Sequence, residues 1–402
     1  MSGASIRVDE GSWPTDDSKT TSGSAATPVI LLAGGGTGGH ISPGLAIAER
    51  IRSIHPGART VFACSARPID AAMLTEAGAE FFAIRAEPFS TDPRRFLRFA
   101  LGLLRGRADA RALIAATKPD WIVSLGGFVT PVVAREAHRA GVRVLLVNLD
   151  ATPGRANRLI ARRATRTISA VAVPHIANFA EAVIGMPIRR IALAPASKEL
   201  CRAELGLDPN VPVLLITGAS QGAQSLNELA VLLASVHGKA FAEWQVLHLC
   251  GANPVGGVAR YERAWRYAGV RAAVLPFMHR IGIAWGAADL ALSRAGASSV
   301  AEAQANQIPT VFAPYPYHKD LHQRENALPL VHAGAAAMEL DEIDPQKNAR
   351  GLGARVLALM ESAEQRYAMR KALQSMAPQD SAEQIAEFLL RGQAFRTSAT
   401  TT

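Results

Sequence analysis

Val29-Ile-Leu-Leu-Ala33 runs directly into Gly34-Gly-Gly-Thr-Gly-Gly-His40, and Ser42-Pro43 follows. The short apolar run reads as a buried strand, and the glycines behind it as a turn. Ser42-Pro43 then predicts a helix start, with Pro at a first-turn position where its missing N–H costs nothing. Glycines let backbone approach a ligand closely, and the free N–H groups of a helix start favour an anion. The loop therefore reads as a cradle for phosphate or diphosphate. His40 adds a titratable group that a purely structural turn does not need.

The same alternation continues along the chain. Residues 60–64, 121–125 and 144–147 read as strands, and 44–54, 96–116 and 131–140 as helices, which argues for a parallel sheet covered by helices on both faces. The pattern restarts at Val211-Pro-Val-Leu-Leu-Ile-Thr217, followed by the turn Gly218-Ala-Ser-Gln-Gly222 and a helix from about Ser225. Strands at 245–249, 273–275, 290–292 and 310–313 follow. Two such units in tandem predict two Rossmann-like domains. The expected divisions are a disordered leader at 1–27, a first domain at 28–190, a second at 191–375, a last helix within 376–392 and a mobile tail at 393–402. In doubly wound sheets ligands bind outside the carboxyl ends of the strands, so both sets of ends are expected to face one cleft.

A chain of 402 residues suffices for two domains, and 49% hydrophobic with 19% charged residues is the composition of a soluble globular protein. No apolar run approaches the roughly 18 residues of a membrane span. The first 27 residues are rich in Ser, Thr, Gly and Asp and lack the apolar segment of a signal peptide. Cys64, Cys201 and Cys250 are scattered, which fits a reducing cytoplasm and no metal spacing. A net charge of +9 asks for an anionic partner, and nucleic acid is the weakest candidate. Aromatics are only 6%, and no basic stretch interleaves with stacking residues.

Gly34-x-Gly36-x-x-Gly39 formally matches the dinucleotide fingerprint, whose ribose-binding acid is expected about 20 residues on. After the second strand, 60–64, none appears before Asp70, although Arg67 could receive the extra phosphate of NADP. Gly218–Ala223 repeats the strand-to-turn arrangement, with the Ser220 hydroxyl offered to a phosphate oxygen. Ser293-Arg-Ala-Gly-Ala-Ser-Ser-Val-Ala-Glu302 places loop amides and the Ser298 and Ser299 hydroxyls where a diphosphate fits, and Glu302 where a ribose diol fits. The same residues equally describe a Ser N-cap with a glutamate complementing the helix dipole. Tyr317–Asn326 is a polar run at a strand end, either a site or a solvated helix start. Arg94–Arg107 combines an apolar face with five arginines, as in an interfacial membrane helix or a core helix with snorkelling arginines.

Taken in order, Gly35–Gly44, Gly126-Gly-Phe-Val129, Gly185-Met-Pro-Ile-Arg189, Ser220–Ala223, Arg294–Ala297 with Glu302, and His318-Lys-Asp with Gln323 and Asn326–Pro329 resemble the MurG family of glycosyltransferases. The resemblance spans roughly residues 28–390. It implies an α/β GT-B fold, with two Rossmann-like domains facing an interdomain cleft. It also implies transfer of N-acetylglucosamine from its UDP donor to the C4 hydroxyl of a lipid-linked muramyl-pentapeptide in peptidoglycan synthesis. Carried over by position, Glu302 would bind the ribose, and Met278 would meet the uracil through its backbone. Ser220, Ala297, Ser298, Ser299, Val300 and Ala301 would hold the diphosphate with Arg189 nearby, and Gln323 would read the sugar. Thr37, Gly38 and Gly39 would line the site from the first domain, and Gly126 and Gly127 would cradle the acceptor diphosphate.

The family needs no catalytic metal or cofactor, and nothing here resembles the Asp-x-Asp motif of the other main glycosyltransferase fold. As partners the resemblance implies an anionic membrane surface, cell-wall synthesis proteins and no nucleic acid, with a peripheral location on the cytoplasmic face of the inner membrane. One departure stands out: where the family carries His-Glu-Gln-Asn, this chain has Val147-Asn-Leu-Asp150, and His322 stands where Gln is common. The attacking hydroxyl needs a base near neutral pH. His40 is the expected base, with Asp150 its rival. Alternatives are a GT-B transferase with another lipid acceptor, a UDP-sugar epimerase, and an inactive UDP-sugar-binding homologue.

Overall fold

The computed structural model describes residues 27–36, 38–89, 92–219, 222–316, 322–376 and 379–395. Of the positions singled out above, the leader before Thr27, Thr37, Ser220, the stretch 317–321 and the tail from 396 lie outside the described residues. The chain divides between Pro187 and Ile188, and again between Gln379 and Asp380, into two compact units.

The first unit alternates β1 (Val29–Ala33), α1 (Gly38–Ile54), β2 (Arg59–Ser65), α2 (Pro68–Glu76), β3 (Glu80–Ile84), α3 (Pro93–Thr117), β4 (Trp121–Ser124), α4 (Thr130–Arg139), β5 (Arg143–Asn148), α5 (Arg155–Ala161) and β6 (Arg166–Ser169). All six strands are parallel in the order β3-β2-β1-β4-β5-β6. The strand order reverses between β1 and β4, and a doubly wound sheet opens its ligand crevice at such a reversal. The glycine turns after β1 and β4 both stand there.

The second unit starts with α6 (Lys198–Glu204) and then runs β7 (Val213–Thr217), α7 (Gln224–His237), β8 (Gln245–Leu249), α8 (Val258–Tyr267), β9 (Ala272–Leu275), α9 (Ile281–Ala287), β10 (Leu290–Ser293), α10 (Ala297–Ala305), β11 (Thr310–Phe312), α11 (His322–His332) and β12 (Ala337–Met338). Helices α12 (Pro345–Asn348), α13 (Ala354–Glu361) and α14 (Ala363–Ser375) close it. Its order, β12-β11-β10-β7-β8-β9, reverses between β7 and β10. The Gly218 and Arg294 turns follow those two strands.

Both faces of each sheet are covered, which is why the strands read as unbroken apolar runs. In the second sheet Leu214, Ile216, Val246, Leu290 and Leu292 point into one core and Val213, Leu215, Leu247 and Ala291 into the other. Each such Val, Leu or Ile side chain contributes about 1.5–3 kcal/mol on burial. The strands absent from the sequence reading are β3, β6 and β12, all at sheet edges. An edge strand buries less, so Glu80 and Arg166 stand exposed in β3 and β6 and the apolar signal is diluted.

Two helix ends differ in an instructive way. The sequence places the start of α1 at Ser42-Pro43, but the helix begins at Gly38 and carries Pro43 inside it. Pro43 withholds one N–H, the one that would bond the Gly39 carbonyl, and the helix continues across it. His40 is consequently in the first helical turn rather than the loop. The last helix, α15 (Ser381–Arg391), falls within the expected 376–392, and local signals explain its ends. Asp380 caps it by accepting from Glu383 N–H, and Gly392 ends it at φ +70°. It belongs to the first unit, where Asp380 also pairs with Arg50 at 2.7 Å and Phe388 packs on Trp121.

Helix α3 is clasped to α4 through one buried carboxylate. Arg107, Arg139 and Arg111 approach Glu136 at 2.8, 2.9 and 3.2 Å. Burial works against the charged form of Glu136, but the three guanidinium groups hold its carboxyl below the usual range.

Candidate functional site

In the first unit the two glycine turns interlock. Gly126 and Gly127 adopt φ of +94° and +89°, which favours glycine, and a Cβ on Gly127 would lie 2.3 Å from the Gly35 carbonyl oxygen. A Cβ on Gly36 would meet the Phe128 ring at 2.7 Å. Asp70, fully buried, ties the loop from below, its Oδ2 accepting from Gly36 N–H at 2.8 Å, Ser65 N–H at 3.1 Å and the Ser65 hydroxyl at 2.6 Å. Arg67 donates to the Gly36 carbonyl at 2.6 Å and lies over the Phe128 ring. That guanidinium is part of the loop's scaffold, which removes the reading of Arg67 as a dinucleotide phosphate ligand.

The first turn of α1 presents the amides of Gly38, Gly39 and His40, three of the groups that have no partner within a helix. His40 is half-buried, hydrogen-bonded to the Gly35 carbonyl, with its ring against Gly126. Burial lowers its pKa below 6.5, opposed by the carboxylates of Asp150 and Asp70 and by the Gly35 bond. The result is a neutral imidazole at neutral pH, the form that can take a proton.

Asp150 follows β5 and is half-buried. Its turn is held by Asn148, whose amide donates to the Asp150 carbonyl at 2.7 Å and to the Ser169 hydroxyl at 2.9 Å. Asn157 of α5 donates to Asn148 Oδ1 at 3.0 Å. The departure from the family motif is thus built into a buried polar knot.

In the second unit α10 is the counterpart. Its N-cap is Gly296, with no side-chain cap, so Ser298 and Ser299 lie inside the first turn and the Ser N-cap alternative is not adopted. The amides of Ala297, Ser298 and Ser299 are left to an external acceptor, with Val300 and Ala301 buried behind them. One turn on, half-buried Glu302 accepts from the Trp285 indole N–H at 3.0 Å, and burial pushes its pKa up to about 7. Met278 packs its side chain against two apolar clusters, and Phe277 beside it is exposed. Gln323 spends its carbonyl on Tyr315 N–H at 2.9 Å, which leaves its NH2 end to donate. Arg189 is half-buried at the start of a 3-10 turn, Arg190–Ala192.

Arg294 belongs to the framework. It lies 2.7 Å from Asp341 Oδ2 and donates to the Ala313 carbonyl at 3.0 Å and the Ser225 hydroxyl at 2.9 Å, tying β10, β11 and α7 together. The Gly218 turn rests on a second buried chain of bonds. Trp265 N–H donates to His248 Nδ1 at 3.4 Å, so His248 Nε2 carries the proton towards Asn227 Oδ1 at 3.0 Å. Asn227 in turn donates to the Cys250 carbonyl at 2.8 Å, the oxygen a Cβ on Gly222 would meet at 2.7 Å. Asp70, Asn157, Trp285, His248 and Asp341 carry no local sequence signal, because their partners are supplied by other strands and helices. Among the described residues, no group of three His, Cys, Asp or Glu side chains is placed to hold a metal ion.

Residues 30–169 match the glycosyltransferase family 28 N-terminal domain and residues 213–385 the C-terminal domain of that family. The chain is 32% identical over 371 residues to a UDP-N-acetylglucosamine–N-acetylmuramyl-(pentapeptide) pyrophosphoryl-undecaprenol N-acetylglucosamine transferase of Desulforudis audaxviator (strain MP104C), covering 90% of this chain and 97% of that one. A protein of the same name from Clavibacter sepedonicus is 34% identical over 381 residues, covering 92% and 98%. The chain belongs to the MurG family. As a MurG-family member it is a glycosyltransferase. The crystal structure of MurG from Acinetobacter baumannii shares the fold, with a TM-score of 0.68 at 24% identity over 90% of this chain and 99% of that one. The two Rossmann-like units thus form the GT-B architecture of the MurG family. The two strand-order reversals carry the motifs through which the chain resembles that family.

Proposed function

We propose that the protein is an inverting transferase that moves N-acetylglucosamine from UDP-N-acetylglucosamine to the C4 hydroxyl of undecaprenyl-pyrophosphoryl-N-acetylmuramyl-pentapeptide, the step from lipid I to lipid II. The observation that carries this reading is the uncapped start of α10 with Glu302 one turn along, in a chain that aligns with named transferases over nearly its whole length. The second unit holds the donor: Ala297–Ser299 amides, the two Ser hydroxyls and Arg189 take the diphosphate, Glu302 the ribose, the Met278 backbone the uracil and Gln323 the sugar. The first unit lines the donor site with Gly38 and Gly39 and supplies the acceptor cradle at Gly126 and Gly127, and the base. As the acceptor hydroxyl attacks the anomeric carbon, His40 accepts its proton and UDP leaves from the opposite face, so an α-linked donor gives a β-linked product. Charge growing on the leaving diphosphate is stabilised by donors already in place at the α10 terminus. Release of UDP from UDP-N-acetylglucosamine that depends on the lipid-linked acceptor tests the reading. Release without acceptor, or none with it, refutes it.

Glu302→Ala is expected to weaken UDP binding by about 1.5–3 kcal/mol, the contribution of a charge-assisted hydrogen bond. Ribose hydroxyls donate to the ionised carboxylate and lower its pKa on binding. Since the free carboxyl titrates near 7, UDP affinity falls as the pH drops below about 7, and binding releases a proton there. Calorimetry in buffers of different ionisation heat measures both; unchanged affinity in a folded Glu302→Ala removes the ribose assignment.

We assign membrane attachment to α3. No helix among the described residues is long and apolar enough to cross a membrane. Leu101 and Leu104 are 45% and 63% exposed, with Arg98 and Arg105 exposed beside them and Phe89 packed edge-on to Phe99. Arg107 is engaged by Glu136 and contributes less. Each free arginine near an anionic bilayer adds about 1 kcal/mol, screened by salt. Co-sedimentation with anionic vesicles is expected to fall steeply with salt and to vanish in a variant carrying Leu101→Ser, Leu104→Ser, Arg98→Gln and Arg105→Gln. Undiminished binding by that variant places the membrane contact elsewhere.

A further inference from the structure

The indole of Trp285 is 1% exposed, yet its N–H reaches out of the core to Glu302 Oε2 at 3.0 Å. It is held there rigidly. Helix α9 is seated by two glycines: a Cβ on Gly282 would lie 2.1 Å from the Leu193 carbonyl oxygen, and one on Gly286 would lie 2.7 Å from Cys201 Sγ. Neither neighbour leaves the helix room to shift. The same short helix starts three residues after Met278, so the backbone assigned to the uracil leads directly into the element that carries the group orienting Glu302. A carboxylate has two oxygens, each with two acceptor sites. With Oε2 engaged by the indole, Oε1 is the oxygen left to accept from a vicinal pair of hydroxyls.

We propose that Trp285 is a positioning residue for the donor: by occupying Oε2 it turns Oε1 of Glu302 to the ribose diol, and so makes the site prefer a ribonucleotide over its 2′-deoxy counterpart. This rests on the ribose assignment of Glu302. The bond does two things at once. It selects one rotamer of a side chain that otherwise has several, and it favours the ionised form, opposing the upward push of burial.

The test compares UDP with 2′-deoxy-UDP by calorimetry across pH 5.5–8.5. In Trp285→Phe, which keeps a ring in the core, UDP affinity is expected to fall about tenfold while 2′-deoxy-UDP falls much less. The pH at which UDP affinity is half lost should move upward, because the ionised carboxylate has lost a donor. In a Glu302→Gln background the same substitution should have almost no further effect on UDP. Where Trp285→Phe does not fold, benzothienylalanine at position 285 repeats the comparison, since it keeps the two-ring shape with sulfur in place of N–H. An equal fall for both nucleotides, an unmoved pH midpoint, or losses that simply add to those of Glu302→Gln would make Trp285 a packing residue and overturn the proposal. The ribose reading fails separately, if Glu302→Gln alone leaves UDP affinity unchanged.

Discussion

Replacing His40 by alanine is expected to lower turnover about 10²–10⁴-fold, the usual cost of a lost general base, while changing the donor Michaelis constant far less. The imidazole sits in the first turn of α1, bonded to the Gly35 carbonyl, with its ring beside the Gly126 turn. Burial holds its pKa below 6.5, so the acid limb of kcat/KM belongs below that value. Asp150 acts on the same ring, since its carboxylate raises the His40 pKa. Removing that charge must therefore lower it. Asp150→Asn is expected to remain active with its acid limb moved to still lower pH. An active His40→Ala beside an inactive, folded Asp150→Asn would exchange the two roles. An acid limb that does not move in Asp150→Asn would show that Asp150 is not coupled to the base.

The second large effect is on stability. His248 is fully buried between Asn227 and Trp265, and burial lowers its pKa from 6.5 to about 3. The unfolded chain takes up the proton near pH 6.5, whereas the folded protein resists it until far lower pH. The stability linked to His248 is therefore complete above pH 6.5 and is lost as pH falls, at about 1.4 kcal/mol per pH unit. Between pH 6.5 and 5 this amounts to about 2 kcal/mol. His248→Gln preserves one donor and one acceptor but does not titrate. Denaturant unfolding of wild type and His248→Gln at pH 8, 6.5 and 5 should show the gap between them closing as the pH falls. Parallel curves would mean that the imidazole is not what ties acid to unfolding.

Much of the architecture is legible in the chain because parallel strands buried on both faces leave a local trace. Val29–Ala33, Val213–Thr217 and Gln245–Leu249 are buried at every position or nearly so, and they read as strands directly. The edge strands do not, because β3 and β6 expose charged residues that dilute the apolar run. Helix α15 is announced by Asp380 and Gly392, whereas α1 begins a turn earlier than its Pro suggests and carries Pro43 inside it.

The candidate sites divide the same way. Sequence by itself determined the two glycine-rich turns, the Ala297–Glu302 segment and the membership of a family, because these depend on residue type and spacing along one stretch of backbone. Tertiary structure alone decided that Arg67 and Arg294 are scaffold rather than ligands, that Asp70 ties the loop beneath His40, and that an indole from α9 engages one oxygen of Glu302. Each of these is a contact between residues 17 to 47 positions apart or brought from another strand, as Gly36 with Asp70 and Trp285 with Glu302 illustrate. A charged or polar side chain looks alike in sequence whether it faces solvent, a ligand or a buried partner. Its role is set by which partner the fold places within about 3 Å, the range over which a hydrogen bond acts.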